Sequence, residues 1–294
     1  MATLDAELLA KLAGLKLRAR SVMEGVLSGL HKSPHQGQSV EFAEHKEYAP
    51  GDELRHLDWK AFGKSDKYYV KRYEHETNLR AVMVMDGSGS MGYHTTPLSK
   101  LEVANTLAGA LAYLLVRQQD AAGLAIAHGK TFVDLPPRAA AGHLNALLEL
   151  LAGIEPTGAT DLFGAAEHLA ERNTRRALVC VFSDLFDERP EALKRILQLR
   201  GLRNDVVIFH IVDPAELTFP FDDPTLFLSM ENEEKIEVNA REIKRSYLEE
   251  FNGFLEQTRL RCAEADVDYA LVRTDDDLEA VLLRFLARRQ GRRR

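Results

Sequence analysis

Ala81-Val82-Met83-Val84-Met85-Asp86-Gly87-Ser88-Gly89-Ser90 sets a short apolar run against an abrupt loop of one acid, two glycines and two serines. A short run bounded by loop residues reads as a strand buried on both faces. The loop offers a carboxylate and two hydroxyls on a backbone that glycine frees for a tight path. Beyond it, Leu101, Ala104, Ala108, Leu111 and Leu115 step by three and four, one face of a helix. The unit then recurs. Ala177 to Phe182 is a continuous apolar run ending at Ser183-Asp184, and Val206 to Val212 is another, ending at Asp213-Pro214. Helical patterns at Leu144 to Leu151, Leu162 to Glu171 and Ala192 to Leu199 lie between them. Gly123 to Ala127 and Thr131 to Leu135 read as two strands around the turn His128-Gly129. The alternation predicts an α/β fold: a doubly wound, mostly parallel sheet covered by helices on both faces.

Outward from this region the character changes. From Leu4 to Leu30, apolar residues recur at mostly helical spacing until Ser33-Pro34, giving a helical N-terminal arm over residues 1–36. Residues 37–79 are rich in aromatic and β-branched side chains, broken by Pro50-Gly51-Asp52, and predict a small β-rich subdomain. The main domain is expected over 80–287. It contains an irregular excursion from Phe219 to Val238, a long helix around Ile243 to Phe254, a strand at Val267 to Val272 and a closing helix at Leu278 to Leu286. Residues 288–294, with Arg288, Arg289 and Arg292 to Arg294, form a basic tail.

Composition narrows the function classes. The formal charge of −7 in 294 residues argues against a general nucleic-acid binder, which needs a basic excess over one face. Cys180 and Cys262 have neither disulfide-framework nor zinc-site spacing and read as core thiols of a reducing compartment. No stretch approaches the roughly 20 apolar residues that span a bilayer, and the N-terminus shows no signal-peptide core. The expectation is a cytoplasmic protein without a transmembrane segment.

In an open α/β sheet, ligands bind outside the carboxyl ends of the strands, where strand order reverses. Two of the buried strands end in acids, Asp86 and Asp184, and the loop Thr157-Gly158-Ala159-Thr160-Asp161 can present Thr160 to the same place. Asp86, Ser88, Ser90, Thr160 and Asp184 are all oxygen donors, suited to Mg²⁺ or to Mn²⁺ or Ca²⁺ rather than to zinc or copper. Magnesium accepts few protein oxygens, so this set leaves a coordination position that a partner's carboxylate can fill.

The pattern resembles the metal-ion-dependent adhesion site of von Willebrand factor A-like domains: Asp-x-Ser-x-Ser at Asp86, Ser88 and Ser90, then Thr160, then Asp184 on the next central strand. A second resemblance precedes it. Glu41-Phe42, Tyr48-Ala49-Pro50-Gly51-Asp52 and Arg55-His56-Leu57-Asp58-Trp59-Lys60 look like the signature of the bacterial domain-of-unknown-function 58 family. That resemblance implies a von Willebrand A-like domain that works with a MoxR-type AAA+ ATPase in assembling or remodelling client proteins, as an adaptor or co-chaperone rather than an enzyme. Ala159, where a glycine is frequent, and Asp161 after Thr160 depart from the pattern without removing a ligand. Many relatives carry membrane helices before the signature, and none is evident here.

Enzyme readings find less in the sequence. Gly63-Lys64-Ser65 and Gly129-Lys130-Thr131 resemble the end of a phosphate-binding loop, but the first glycine of that pattern falls at Asp58 and Leu124. Ser88 and Ser90 lack the Gly-x-Ser-x-Gly context of a nucleophile elbow. The alternative is a metal-dependent phosphoester hydrolase in which Asp86 and Asp184 help activate water. Asp213 and the histidines receive no role.

Overall fold

The computed structural model describes residues 6–31, 42–47, 69–73, 79–129, 131–172, 176–187, 189–232 and 234–292. The chain divides into two units, residues 31–78 and the remainder, 1–30 with 79–294. In chain order the elements are α1 (Ala6–His31), β1 (Phe42–Glu47), β2 (Tyr69–Tyr73), β3 (Arg80–Asp86), α2 (Lys100–Arg117), β4 (Ala121–His128), β5 (Thr131–Arg138), α3 (Ala141–Ala152) and α4 (Leu162–Arg172). There follow β6 (Leu178–Ser183), α5 (Ala192–Gln198), β7 (Asp205–Val212), α6 (Pro214–Thr218), β8 (Pro224–Leu228), β9 (Lys235–Asn239), α7 (Ala240–Glu264), β10 (Asp268–Arg273) and α8 (Leu278–Arg292).

Alternate residues of β3 face two layers, which is why the run is apolar throughout. Ala81, Met83 and Met85 join one core with α1, α2, α3 and α8; Val82 and Val84 join another with α4, α5 and Cys262 of α7. The sheet order is β10-β7-β6-β3-β4-β5, parallel except for the β4–β5 pair. This is the mixed α/β architecture expected from the alternation, with helices on both faces. Both cysteines are buried and free.

Local chemistry starts α2. Ser99 caps α2 in a capping box with Glu102, which satisfies amide groups that the first turn leaves open. Gly109, within α2, costs helix propensity of about 1 kcal/mol. A Cβ there would lie 3.1 Å from both Ala19 of α1 and Leu148 of α3, so the glycine lets three helices approach closely. The N-terminal helix joins this layer: Leu12, Leu15, Ala19, Met23 and Val26 are buried at helical spacing. Burial of each Leu, Met or Val in that row contributes about 1.5–3 kcal/mol.

The excursion after α6 is a hairpin, β8 against β9, with Thr225 opposite Val238 and Phe227 opposite Ile236. Its inner ring, Phe227, stacks with Phe219, which meets Tyr247 of α7 in a tilted contact at 4.6 Å. At the other end of the chain, α8 runs through Arg292, so residues expected as tail continue a helix. Arg289 sits over Phe285 and pairs with Asp205 at 3.1 Å, an anchor the basic composition did not reveal.

In the smaller unit, β1 and β2 form an antiparallel pair, with Phe42 opposite Tyr73 and Glu47 opposite Tyr69. Of the signature motifs, Tyr48–Asp52 and Arg55–Lys60 lie outside the described residues. Among the described residues no helix is long and apolar enough to cross a membrane.

Candidate metal centre

β3 pairs with β4 on one side and β6 on the other, and the chain leaves β3 towards β4 but leaves β6 towards β7. The carboxyl ends of β3 and β6 therefore flank the crevice at which strand order reverses. Asp86 ends β3 and Asp184 follows β6, both with no solvent exposure.

The loop after Asp86 folds back on its carboxylate. Ser88 N donates to Asp86 Oδ1 at 2.9 Å, the Ser183 hydroxyl donates to Oδ2 at 2.5 Å, and the Ser88 and Ser90 hydroxyls lie 3.0 Å apart. A 3-10 turn over Gly89–Gly92 follows. The Thr160 loop is tied to it by Gly89 N to Gly158 O at 2.7 Å and Thr157 N to Gly87 O at 3.2 Å. Thr160 Oγ1 donates to Ala127 O at 3.1 Å, the same carbonyl that accepts from Gly87 N. Its lone pairs stay available. Gly89 is required by a close approach: a Cβ would fall 1.9 Å from Met230 O at the tip of the β8–β9 hairpin.

Asp184 is held differently. Phe186 N donates to its Oδ1 at 3.2 Å across Leu185, whose φ of 60° is costly for a bulky side chain, about 1–3 kcal/mol. Its Oδ2 accepts from Lys100 Nζ at 2.8 Å, and the same ammonium donates to Glu216 Oε1 at 2.8 Å. Glu216 Oε2 accepts from Asp213 N at 2.6 Å in a capping box that starts α6. Asp213 in turn accepts from Thr95 N at 2.9 Å and the Thr274 hydroxyl at 3.0 Å.

Burial, and then the charge of Asp184, push the Asp86 carboxyl up to about 7, against the hydrogen bonds from Ser183 and Ser88. Burial would lower the Lys100 ammonium, but Asp184 and Glu216 outweigh it and hold it at about 12. Burial raises Glu216 and drives His210, on β7, down to about 4.

The sequence reading named Asp86, Ser88, Ser90, Thr160 and Asp184, and the fold brings them to one end of the sheet through the contacts above. Among the described residues no three His, Cys, Asp or Glu side chains converge as a metal cluster. The donor set is instead two carboxylates with hydroxyls. It fits a hard cation: the charge of Asp184 helps push the buried Asp86 carboxyl up, and a bound cation relieves that repulsion. Ser183 and Lys100 were missed. For Lys100 a signal existed, a lysine opening an otherwise apolar helix; Asp213-Pro214-Ala215-Glu216 likewise carries capping-box spacing that the sequence reading left unassigned.

The sheet order, with an Asp-x-Ser-x-Ser loop at its switch point, defines a von Willebrand factor A-like domain. The chain belongs to the family described as "Protein of unknown function DUF58", which matches residues 44–253. It is similar to uncharacterized proteins of Mycobacterium bovis and Mycobacterium tuberculosis, each 27% identical over 219 residues, covering 74% of this chain and 68% of theirs. Among solved structures, an aerotolerance-related membrane protein from Bacteroides fragilis is 16% identical, with a TM-score of 0.46 over 71% of this chain and 97% of its own. The conserved hypothetical protein BatB from Bacteroides thetaiotaomicron is 14% identical, with a TM-score of 0.42 over 71% and 98%.

Proposed function

We propose that the chain is a divalent-cation-dependent protein-interaction module, serving as adaptor or co-chaperone to a MoxR-type AAA+ ATPase that remodels client proteins. The observation that carries this reading is that Asp86 and Asp184, buried at the carboxyl ends of adjacent strands and close enough for one charge to act on the other, lie at the switch point where the paired Ser88 and Ser90 hydroxyls and the Thr160 loop are held. Asp86, Ser88, Ser90 and Thr160 would hold Mg²⁺ or Mn²⁺, with Asp184 as the second carboxylate. When bound, the cation supplies an electrophilic position for a carboxylate of the ATPase or client. The protein's own part is to keep the donors in register. Ser183 and Ser88 N orient Asp86, the Gly158 carbonyl pins the serine loop, and the Ala127 carbonyl aims Thr160.

The test is capture from the native host with purified protein, in Mg²⁺ and in EDTA, with Asp86→Ala as control. Retention of an AAA+ ATPase or its client only with Mg²⁺ and intact Asp86 supports the reading. Capture indifferent to both removes the metal centre as the interface.

A further inference from the structure

We infer that Lys100 is a resident counter-cation of the candidate metal centre: its ammonium holds Asp184 when no metal is bound and sets how tightly a divalent cation binds beside Asp86. The inference rests on the metal-binding reading above.

Local helix physics disfavours a lysine at this position. Lys100 is the first residue of α2, where the helix dipole is positive and acidic residues are preferred, and Glu102 already takes that role in the capping box. Burial adds a further cost, since the side chain is 1% exposed. Only its partners account for it. Asp184 Oδ2 and Glu216 Oε1 each lie 2.8 Å from Nζ, and they reach it from the loop after β6 and from α6.

The geometry also bears on the cation. Asp184 and Glu216 place two carboxylates on one ammonium, and Asp86 lies near enough to feel the charge of Asp184, so acidic groups still outnumber the lysine where a divalent ion would bind. That ion must bind against the repulsion of Lys100, which occupies one oxygen of a proposed ligand. Deleting the ammonium should strengthen cation binding and weaken the metal-free fold. Neutralising Glu216 does the reverse to affinity: it removes a negative charge and leaves Lys100 to Asp184 alone. A lysine serving only as a structural cross-link predicts no such opposed response.

The experiment uses the full chain with Mn²⁺ alone as probe, following binding by electron paramagnetic resonance and melting in EDTA and in Mn²⁺. Lys100→Met is expected to tighten Mn²⁺ binding about tenfold or more, to melt lower in EDTA and to gain more from Mn²⁺ than the parent. Glu216→Gln is expected to weaken Mn²⁺ binding several-fold, and it decides the matter if Lys100→Met does not fold. Asp86-dependent Mn²⁺ binding that neither substitution changes overturns the inference and leaves the metal-site reading intact. Absence of Asp86-dependent binding in the parent and both variants overturns both. Binding that appears only in Lys100→Met supports the counter-cation role and counts against a metal-dependent parent.

Discussion

At the amino ends of the strands, Asn204 accepts from Ala177 N at 3.1 Å and donates to Leu199 O at 3.2 Å, and Asp120 accepts from Leu79 N at 3.0 Å. At the carboxyl ends, Asp184 shares one ammonium with Glu216 while its charge bears on the buried Asp86, and among the described residues His210 Nε2 meets no partner of hydrogen-bond geometry. Both ends bury polar side chains. The amino end matches neutral donors to acceptors and stiffens the sheet; the carboxyl end concentrates like charge at the cost of stability. That contrast separates structural polar groups from those placed for a ligand.

The largest effect should come from breaking the amino end. Asn204→Ala strands the Ala177 amide and the Leu199 carbonyl in the interior, and should lower unfolding free energy by about 4 kcal/mol in urea titrations. Mn²⁺ affinity should not change. A large loss of cation binding in that variant would erase the distinction between the two ends.

The next effect is a pH slope. His210 has a folded pKa of about 4, below its ordinary value of 6.5, so its neutral form is the one the fold keeps. Its contribution is complete above pH 6.5 and is lost as pH falls towards 4, by roughly 3 kcal/mol. Asp86 slopes the other way: its folded pKa of about 7 exceeds the ordinary 3.8, so stability present below pH 3.8 is lost as pH rises through 7. The two opposing slopes are separated by comparing His210→Gln with the parent from pH 4 to 7. The difference should shrink as pH falls.

A smaller change, and a gain, is expected at Asp86 itself. Asp86→Asn removes the buried charge, and the Ser183 hydroxyl can turn to accept from the new amide. In EDTA at pH 8 this variant should be more stable by about 1–2 kcal/mol, while the melting shift on adding Mg²⁺ disappears. Lower stability in EDTA would show that Asp86 serves the fold rather than a ligand. Smallest of all, Asp205→Asn cuts ion pairs to Arg176 and Arg289 at the half-exposed sheet end, and should cost less than about 1 kcal/mol, shrinking further in high salt.

Much of this was legible because the central strands are buried on both faces. Ala81 to Met85 and Ala177 to Phe182 are apolar without interruption, and the acids that end them mark the switch point. The helix at Leu101 to Leu115 followed from its three-and-four spacing. The pairings of Lys100, Ser183 and Glu216 were not: an opening lysine and a capping-box spacing mark two of them, but their partners lie far apart in the chain, and sequence spacing carries no charge balance. The fate of α1 was hidden for a related reason. Its apolar row announces a helix but does not say whose core it fills, and Gly109, which admits it, lies on another element.

At Gly89 the spacer between the serine loop and the hairpin tip is a single hydrogen atom. A methyl group there acts as a wedge: either the carbonyl of Met230 retreats or the loop carrying Ser88 and Ser90 is levered away from Asp86. The hairpin and the serine loop thus share one clearance, and a change in the length or shape of either must be absorbed by the other.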